Sequence, residues 1–397
     1  MRILFLTPRF PYPIVGGDRL KPYKILSYLG KKHNTTLVTF YQGQKLPDGY
    51  REEIEKLGVE LFVIYLDPIK AGLRTIPLTL FSNQPLEIAY YNQPEFGFML
   101  EKLTIERKFD LSFAFFMRTA EYLKQLPIKK ILMAEDCRVL YQKRSYEESK
   151  NLKQKIIRYW EYKKLSSYEP RIVEYFDAVT FVTNNDIESM KQENPNGKYR
   201  LLTNGTDTDY FLPPENPDIR NGILFSGKLD IWANILMIER IVKEILPIIQ
   251  EKLPDVKFRI VGSNPPKRIE SLQSEFISIH KNVPSMLPYL QEAELFLHPH
   301  SGGSGIQNKL LEAMSCACPV VTTTTGIQGI PVKNMESVLI GNTNQELAEH
   351  SINILKDKEL ANRIGNNARQ VIIDNLSWNR VYQMLDELIE EVTLEKT

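Results

Sequence analysis

The stretch RILFLTPRFPYPIVGGDRLKPYKILSYLGKKHNTTLVTFY, residues 2–41, decides the fold. It begins with a short apolar run that is typical of a buried parallel strand. The turn at Gly16 and Gly17 follows, then a segment with helical apolar spacing, then the β-branched run NTTLVTFY. Strand, glycine turn, helix and strand in this order predict a βαβ unit with its two strands parallel.

The same alternation continues along the chain and predicts an α/β fold of the GT-B kind, two Rossmann-like doubly wound domains facing a central cleft. FDAVTFVT, residues 176–183, closes the first half as its last predicted strand. The run NGTDTDYFLPPEN is rich in turn residues and predicts an irregular linker. A long helix is expected over residues 234–253. The predicted organisation is an N-terminal domain at 1–203, a linker at 204–216, a C-terminal domain at 217–375 and a C-terminal helix at 376–397 that packs back on the N-terminal domain.

Composition narrows the class of protein. The 397 residues are 43% hydrophobic and 25% charged, which is ordinary for a globular protein. A net charge of +1 gives no strong field for nucleic acid, so no nucleic-acid partner is expected. Three cysteines cannot form a disulfide framework, which favours a cytoplasmic setting. No apolar run approaches the roughly 18 residues of a spanning helix.

A small-residue loop in HSGGSGIQNKLLEAMSCACPVVTT, residues 300–323, is the strongest candidate for a ligand site. Glycines there would let a ligand approach the backbone, and the following helix would offer free N–H groups to phosphate. The loop is neither a Walker A motif nor a dinucleotide fingerprint. A tight strand-to-helix turn explains the glycines equally well. The four loop residues are Gly302, Gly303, Ser304 and Gly305.

Charged residues close to this loop extend the candidate site. Lys309 and Glu312 are three positions apart and share one helix face. They are either an exposed pair or a lysine facing phosphate beside a glutamate that accepts ribose hydroxyls. Lys228, directly after Gly227, follows a predicted strand end and could neutralise a diphosphate. A solvated surface lysine is the alternative for Lys228.

Three stretches resemble one known family, in that family's order. TNGTDTDYFLP at residues 203–213 resembles its linker motif. LPYLQEAELFLHPHSGGSGIQNKLLEAMSCACPVVTTTTGIQGI at 287–330 resembles its donor-site signature, and PRFPYPIVGGDRLKPYKILSYLGKKHNTTLVTF at 8–40 resembles its N-terminal loop and helix. The family is the retaining glycosyltransferases of family 4, which have the GT-B fold. The resemblance covers most of the chain.

The resemblance implies roles for individual residues. Gly227 and Lys228 match a contact to the donor diphosphate, and Glu312 matches the glutamate that holds the donor ribose. Ser304 stands where the family has the first glutamate of its E-x7-E motif, of which Glu312 is the second, and we infer that Lys309 supplies a charge that the family places elsewhere. The residues expected to bind the donor are Gly16, Gly17, Gly227, Lys228, Asn234, Val283, Gly302, Gly303, Ser304, Gly305, Ile306, Lys309 and Glu312.

Lys228 and Lys309 are also expected to act in catalysis, together with Asp136 and Arg118 in the N-terminal domain. A helix N-cap is the alternative for Asp136. The pair His298 and His300 is interpreted as polar support rather than as a metal site. No metal and no cofactor are expected, and a nucleotide-diphosphate sugar would be the donor substrate.

The resemblance implies sugar transfer with retention, an EC 2.4 activity, to a glycan or lipid-linked acceptor. Synthesis of cell-surface polysaccharide or glycoconjugate would be the setting. A nucleotide-sugar 2-epimerase-like enzyme and a non-catalytic nucleotide-sugar-binding protein are the alternatives. The basic, aromatic stretch KQKIIRYWEYKKLSSYEPR, residues 153–171, is interpreted as a solvated helix, with a contact to the inner face of a membrane as the second hypothesis.

Overall fold

A computed structural model describes residues 1–14, 16–147, 149, 151–302 and 306–394. It divides into two compact units. Unit 1 is Met1–Thr203 with Tyr382–Thr397, and unit 2 is Asn204–Val381. The strands are β1 (Arg2–Thr7), β2 (Asn34–Gln42), β3 (Val59–Leu66), β4 (Leu111–Phe115), β5 (Lys129–Glu135), β6 (Ala178–Phe181), β7 (Tyr199–Leu201), β8 (Asn221–Lys228), β9 (Phe258–Ser263), β10 (Ile277–Lys281), β11 (Ala293–His298), β12 (Val320–Thr322) and β13 (Leu339–Ile340).

Helices connect most of these strands. They are α1 (Gly17–Lys32), α2 (Tyr50–Glu55), α3 (Pro68–Phe81), α4 (Leu86–Tyr91), α5 (Pro94–Glu106), α6 (Ala120–Leu123), α7 (Arg138–Glu147), α8 (Leu152–Ile172), α9 (Asn184–Glu193), α10 (Trp232–Arg240), α11 (Leu246–Gln250), α12 (Lys267–Glu270), α13 (Leu287–Glu292), α14 (Asn308–Ser315), α15 (Asn344–Lys356), α16 (Lys358–Leu376) and α17 (Trp378–Leu394).

Each unit contains one parallel sheet. In unit 1 the strand order is β3-β2-β1-β4-β5-β6-β7, and in unit 2 it is β10-β9-β8-β11-β12-β13. The predicted βαβ unit is present, with Arg2 beside Asn34 and Thr7 beside Thr39 in the parallel pairing of β1 and β2. All five residues of β4 are buried, as expected of a strand covered by helices on both faces. The α/β class is therefore confirmed, with each sheet doubly wound.

Two predicted elements differ from the structure. FDAVTFVT is not the last strand of the first sheet, because the three-residue strand β7 adds to its edge beside β6. The expected helix over 234–253 is interrupted by a π-helical turn, Ile241–Ile245, just before Pro247. Proline lacks the N–H of a regular helix, and its ring crowds the carbonyl four residues earlier, so the backbone widens there.

The C-terminal helix α17 makes side-chain contacts within unit 1. The ring of Tyr382 stacks on Tyr28 with 4.2 Å between the ring centroids. The Asp386 carboxylate accepts a hydrogen bond from the Tyr28 hydroxyl at 2.6 Å and pairs with Lys32 at 2.7 Å. Residues 204–216 contain no helix or strand apart from the isolated bridge of Thr206 to Ser377.

Candidate functional site

A pocket of about 320 Å³ in unit 2 lies between the carboxyl ends of strands β8, β9 and β10 and helix α14. In open parallel sheets, ligands bind at this edge. We call it the α14 pocket, and it is lined by Ser226, Gly227, Lys228, Gly262, Ser263, Asn282, Val283, Met286, Lys309 and Glu312.

Two glycines bring the backbones of β8 and β9 close together at the floor of the α14 pocket. A Cβ atom on Gly262 would lie 1.8 Å from the carbonyl oxygen of Gly227, so no side chain fits there. A Cβ atom on Gly227 would lie 3.0 Å from Nδ2 of Asn234 and 3.3 Å from Nζ of Lys309. Glycine at both positions therefore keeps the strand ends and the polar groups beside them in place.

Lys309 lies in the first turn of α14 and is half-buried. Its ammonium donates a hydrogen bond to Oδ1 of Asn234 at 2.6 Å, and Nδ2 of Asn234 donates to the Lys228 carbonyl at 2.7 Å. The ammonium also lies 5.1 Å from the centroid of the Phe225 ring. Burial lowers the pKa of Lys309 to about 8, although the charge of Glu312 opposes the shift. An anion in the pocket would therefore find a positioned cation that is incompletely compensated.

Glu312 lies one turn further along α14 and lines the same pocket. Burial raises the pKa of its carboxyl to about 7, while Lys309 acts in the opposite direction. A carboxylate at this depth gains by accepting hydrogen bonds from the hydroxyl groups of a ligand. Two opposite charges with shifted pKa values in one cleft make the α14 pocket a candidate functional site.

The structure brings together five of the residues expected from the sequence: Gly227, Lys228, Val283, Lys309 and Glu312. Asn234 lies beside them, hydrogen-bonded to Lys309. Gly302, the first residue of the small-residue loop, and Ile306, which follows the loop, are described, whereas Gly303, Ser304 and Gly305 lie outside the described residues. Gly16 and Gly17 belong to unit 1, where Gly16 precedes α1 with a positive φ of 94°.

Sequence reasoning missed part of the pocket lining. Ser263 ends β9, and Asn282 and Met286 follow β10. The signal was present, because both segments come directly after predicted strands and so belong to the same sheet edge. No distinctive motif accompanies them, and only the strand order β10-β9-β8 shows that they adjoin Lys228.

His298 and His300 are both buried, and their rings stack with centroids 5.2 Å apart. Nδ1 of His298 lies 3.3 Å from the Thr322 hydroxyl. Burial lowers the pKa of His300 to about 4, with the charge of Lys309 acting in the same direction. Within the described residues, no group of three or more metal-binding side chains is found. The two imidazoles are neutral rings beside Lys309.

In unit 1, the two predicted catalytic residues are engaged with neighbouring charges. Asp136 pairs with Arg138 at 3.4 Å, and Arg118 pairs with Glu87 at 3.2 Å. Glu87 also pairs with Arg138 at 3.0 Å, which joins the four side chains into what we call the Glu87 cluster. Burial alone would raise the pKa of Glu87, but the two arginines lower it. Burial raises the pKa of Asp136.

The start of α7 tests whether Asp136 caps this helix. The backbone N–H groups of Arg138 and Val139 donate to the carboxylate of Glu169, at 3.0 and 2.7 Å. Glu169 therefore satisfies the first N–H groups of α7, and an N-cap role for Asp136 does not describe the structure. Burial raises the pKa of Glu169 to about 8, while these backbone donors oppose the shift.

Comparison with known proteins gives a family match in unit 2. Residues 220–357 match the family described as Glycosyl transferases group 1. An uncharacterised 44.6 kDa protein in the cps region of Klebsiella pneumoniae is 20% identical over 97% of this chain and 98% of its own. Glycosyltransferase 1 domain-containing protein 1 of Xenopus tropicalis is 26% identical over 46% of this chain and 55% of its own.

Solved structures resemble the chain over its whole length. Sucrose-phosphate synthase from Thermosynechococcus elongatus has a TM-score of 0.72 at 18% identity, covering 100% of both chains. Anabaena HepE, solved in complex with UDP and glucose, has a TM-score of 0.65 at 14% identity, covering 98% of this chain and 99% of its own. The predicted GT-B fold and the resemblance to group 1 glycosyltransferases are confirmed.

Proposed function

We propose that this chain acts as a GT-B glycosyltransferase of the EC 2.4 class. In the proposed reaction it transfers a sugar from a nucleotide-diphosphate donor with retention at the anomeric carbon. The observation that carries the proposal is the α14 pocket, where Lys228, Lys309 and Glu312 meet at the carboxyl ends of the strands. HepE, a structural neighbour, was solved with UDP and with UDP-glucose, so uridine diphosphate sugars are the first donors to test.

Charge development explains why cations belong in this pocket. In the proposed reaction an acceptor hydroxyl oxygen bonds to the anomeric carbon while the bond from that carbon to the diphosphate oxygen breaks. The bonding electrons leave with the diphosphate, and the hydroxyl proton passes to the leaving oxygen on the same face. Lys309 and Lys228 stabilise the negative charge that develops there, and the free N–H groups at the start of α14 add to the effect.

The remaining donor contacts are proposed by chemical type. In its ionised carboxylate form, Glu312 accepts hydrogen bonds from the ribose hydroxyls. Asn234 orients Lys309 through the hydrogen bond at 2.6 Å. No step in this scheme requires a metal ion, since lysines and helix N–H groups supply the positive charge.

On the acceptor side we propose Asp136, with Arg118 beside it. Burial raises the pKa of Asp136, and we propose that this carboxyl orients the acceptor hydroxyl by a hydrogen bond while the hydroxyl proton passes to the leaving oxygen. We propose a glycan or lipid-linked acceptor in polysaccharide synthesis, supported by the cps-region relative. A lipid-linked acceptor would place the protein at the inner face of a membrane. No helix among the described residues is long and apolar enough to span one.

Incubation with UDP-, GDP- and ADP-sugars separates this function from its alternatives. A transferase releases nucleoside diphosphate slowly without acceptor and faster with one. A nucleotide-sugar 2-epimerase-like enzyme converts the donor to an epimer, which NMR detects. A non-catalytic binding protein binds the donor without turnover, even with acceptors present, and that result would contradict the proposal.

Variants tie the activity to the pocket. Glu312→Gln and Lys228→Ala are expected to lower donor affinity or turnover while the circular dichroism spectrum stays unchanged. Lys252→Ala is the matched control, because Lys252 is exposed in unit 2 and lies outside the α14 pocket. If both pocket variants transfer sugar at the wild-type rate, the assignment of the pocket is wrong.

A further inference from the structure

Helix α3 in unit 1 exposes its large apolar side chains to solvent, whereas a helix of a globular protein usually buries them. Its buried positions are Ala71, Thr75 and Thr79, which are small or polar. The large apolar side chains point to solvent instead. Their exposed fractions are 75% for Ile69, 65% for Leu73, 56% for Ile76, 63% for Leu80 and 90% for Phe81.

The spacing makes these side chains one stripe. Ile69, Leu73, Ile76 and Leu80 recur at intervals of four, three and four residues, which places them on a single helix face. Scattered exposed apolar residues are normal on proteins, but a contiguous apolar stripe marks an interaction surface.

The N-terminal half of α8 carries a second group of exposed apolar side chains. Nζ of Lys164 donates to the carbonyls of Thr79 and Ser82, which fixes α8 against the end of α3. Ile157 and Trp160 lie seven and four residues before Lys164, on the same face of α8. Leu152, Ile156 and Ile157 are all more than half exposed. We call these exposed faces of α3 and of residues 152–160 the α3–α8 patch.

The charges of the α3–α8 patch have one sign. Helix α3 carries Lys70 and Arg74 and no acidic residue, and residues 152–160 carry Lys153, Lys155 and Arg158 and no acidic residue. Among the described residues, no acidic side chain pairs with Lys70, Lys153 or Arg158. Arg74 pairs with Glu95 at 3.3 Å. Large apolar side chains flanked by cations are the composition of helices that lie in the interface of an anionic bilayer.

We infer that the α3–α8 patch docks on the surface of a bilayer that contains anionic lipids. The apolar stripe of α3 would enter the boundary between headgroups and acyl chains, and the cations of α8 would contact the headgroups. The sequence alone pointed only to the basic stretch of α8. The inference rests on the proposed function for its purpose, because it gives a lipid-linked acceptor a place to meet unit 1, but not for its test.

The test is co-sedimentation of the full chain with vesicles, without any nucleotide sugar. Wild type is expected to sediment with vesicles of phosphatidylcholine mixed with phosphatidylglycerol, and less so at high salt, which screens the charges. Leu73→Glu combined with Leu80→Glu is expected to weaken binding at least about tenfold. Lys153→Glu combined with Arg158→Glu is expected to weaken it about 25-fold or more, at roughly fivefold for each cation.

The matched control places the same apolar-to-glutamate substitutions at exposed positions outside the α3–α8 patch. Ile105 and Leu394 are 78% and 75% exposed in unit 1 but lie outside the α3–α8 patch. Ile105→Glu combined with Leu394→Glu is expected to bind vesicles as wild type does. Both leucines replaced in α3 already face water, so the α3 variant should keep its fold, which circular dichroism verifies.

Three results would overturn the inference: no sedimentation of wild type with the mixed phosphatidylcholine and phosphatidylglycerol vesicles, wild-type binding by the α3 variant, or a dimer in solution that the α3 variant dissociates. The last would assign the patch to a second copy of this chain. Release of nucleoside diphosphate, assayed on the same samples without vesicles, keeps the two proposals apart. If the chain sediments with vesicles but releases no nucleoside diphosphate, only the proposed function is contradicted. If it releases nucleoside diphosphate but does not sediment with vesicles, only the docking surface is contradicted.

Discussion

Charged side chains gather at the carboxyl ends of strands in both units, but the two groups are compensated differently. In the Glu87 cluster, one carboxylate faces two arginines, and their charges lower its pKa in spite of burial. In the α14 pocket, burial prevails, so that the pKa of Lys309 falls to about 8 and that of Glu312 rises to about 7. Glu87 is satisfied by the protein's own arginines, whereas Lys309 and Glu312 are left for a ligand to complete.

The largest effect is expected from the compensated group. Glu87→Gln leaves Arg118 and Arg138 without their shared partner and should lower the free energy of unfolding by about 2–4 kcal/mol. Urea unfolding followed by circular dichroism measures the change. Glu95→Gln is the control, since Glu95 forms an exposed pair with Arg74 and its loss should cost at most about 0.5 kcal/mol. Equal stability of the two variants would contradict the claim that Arg118 and Arg138 depend on Glu87 for their compensation.

The next effect concerns ligand binding rather than stability. Lys309→Met removes the positioned cation and should weaken the binding of a nucleoside diphosphate about 10- to 100-fold, with little loss of fold stability. Isothermal titration calorimetry gives the Kd values. Lys252→Met should bind as wild type does. A Lys309→Met protein with unchanged Kd would show that the pocket charge is structural, as in the Glu87 cluster.

The pH dependence sharpens the same contrast. Lys309 holds its proton only below about pH 8, and Glu312 is ionised only above about pH 7. Affinity for a nucleoside diphosphate should therefore be greatest between these values and fall on both sides. Lys309→Arg should remove the alkaline fall, since arginine stays charged, and Glu312→Gln should remove the acid fall. A profile that is flat for wild type would contradict the assignment.

The last effect is on stability without ligand. Because the folded state raises the pKa of Glu312 from about 4.5 to about 7, its contribution to stability is present below pH 4.5 and is lost as the pH rises to 7. Glu312→Gln carries no charge, so at pH 8 it should be more stable than wild type by up to about 3 kcal/mol, at about 1.4 kcal/mol for each pKa unit of the shift. At pH 4 the two should be equal. Thermal unfolding at both pH values checks this, and Glu359→Gln, an exposed site on α16, should change neither.

The sequence predicted those features that local patterns determine. Apolar runs and the Gly16–Gly17 turn predicted the βαβ unit, and a spacing of three residues predicted that Lys309 and Glu312 share a face of α14. Asn234 is among the residues predicted to bind the donor, but its hydrogen bond to Lys309, 75 residues away, depends on how α10 and α14 pack. The Glu87 cluster escaped prediction for the same reason, because Glu87 meets partners 31 and 51 residues further along the chain.

Proton uptake on ligand binding tests the central claim most directly. At pH 8 about half of the Lys309 side chains in the free protein are deprotonated, and a bound diphosphate favours the protonated form. Calorimetric titration with UDP at pH 8, in two buffers of different ionisation enthalpy, measures the protons exchanged. We predict net uptake by wild type that disappears in Lys309→Met. Binding of UDP with the same proton uptake in both proteins would contradict the claim that the α14 pocket is completed by its ligand.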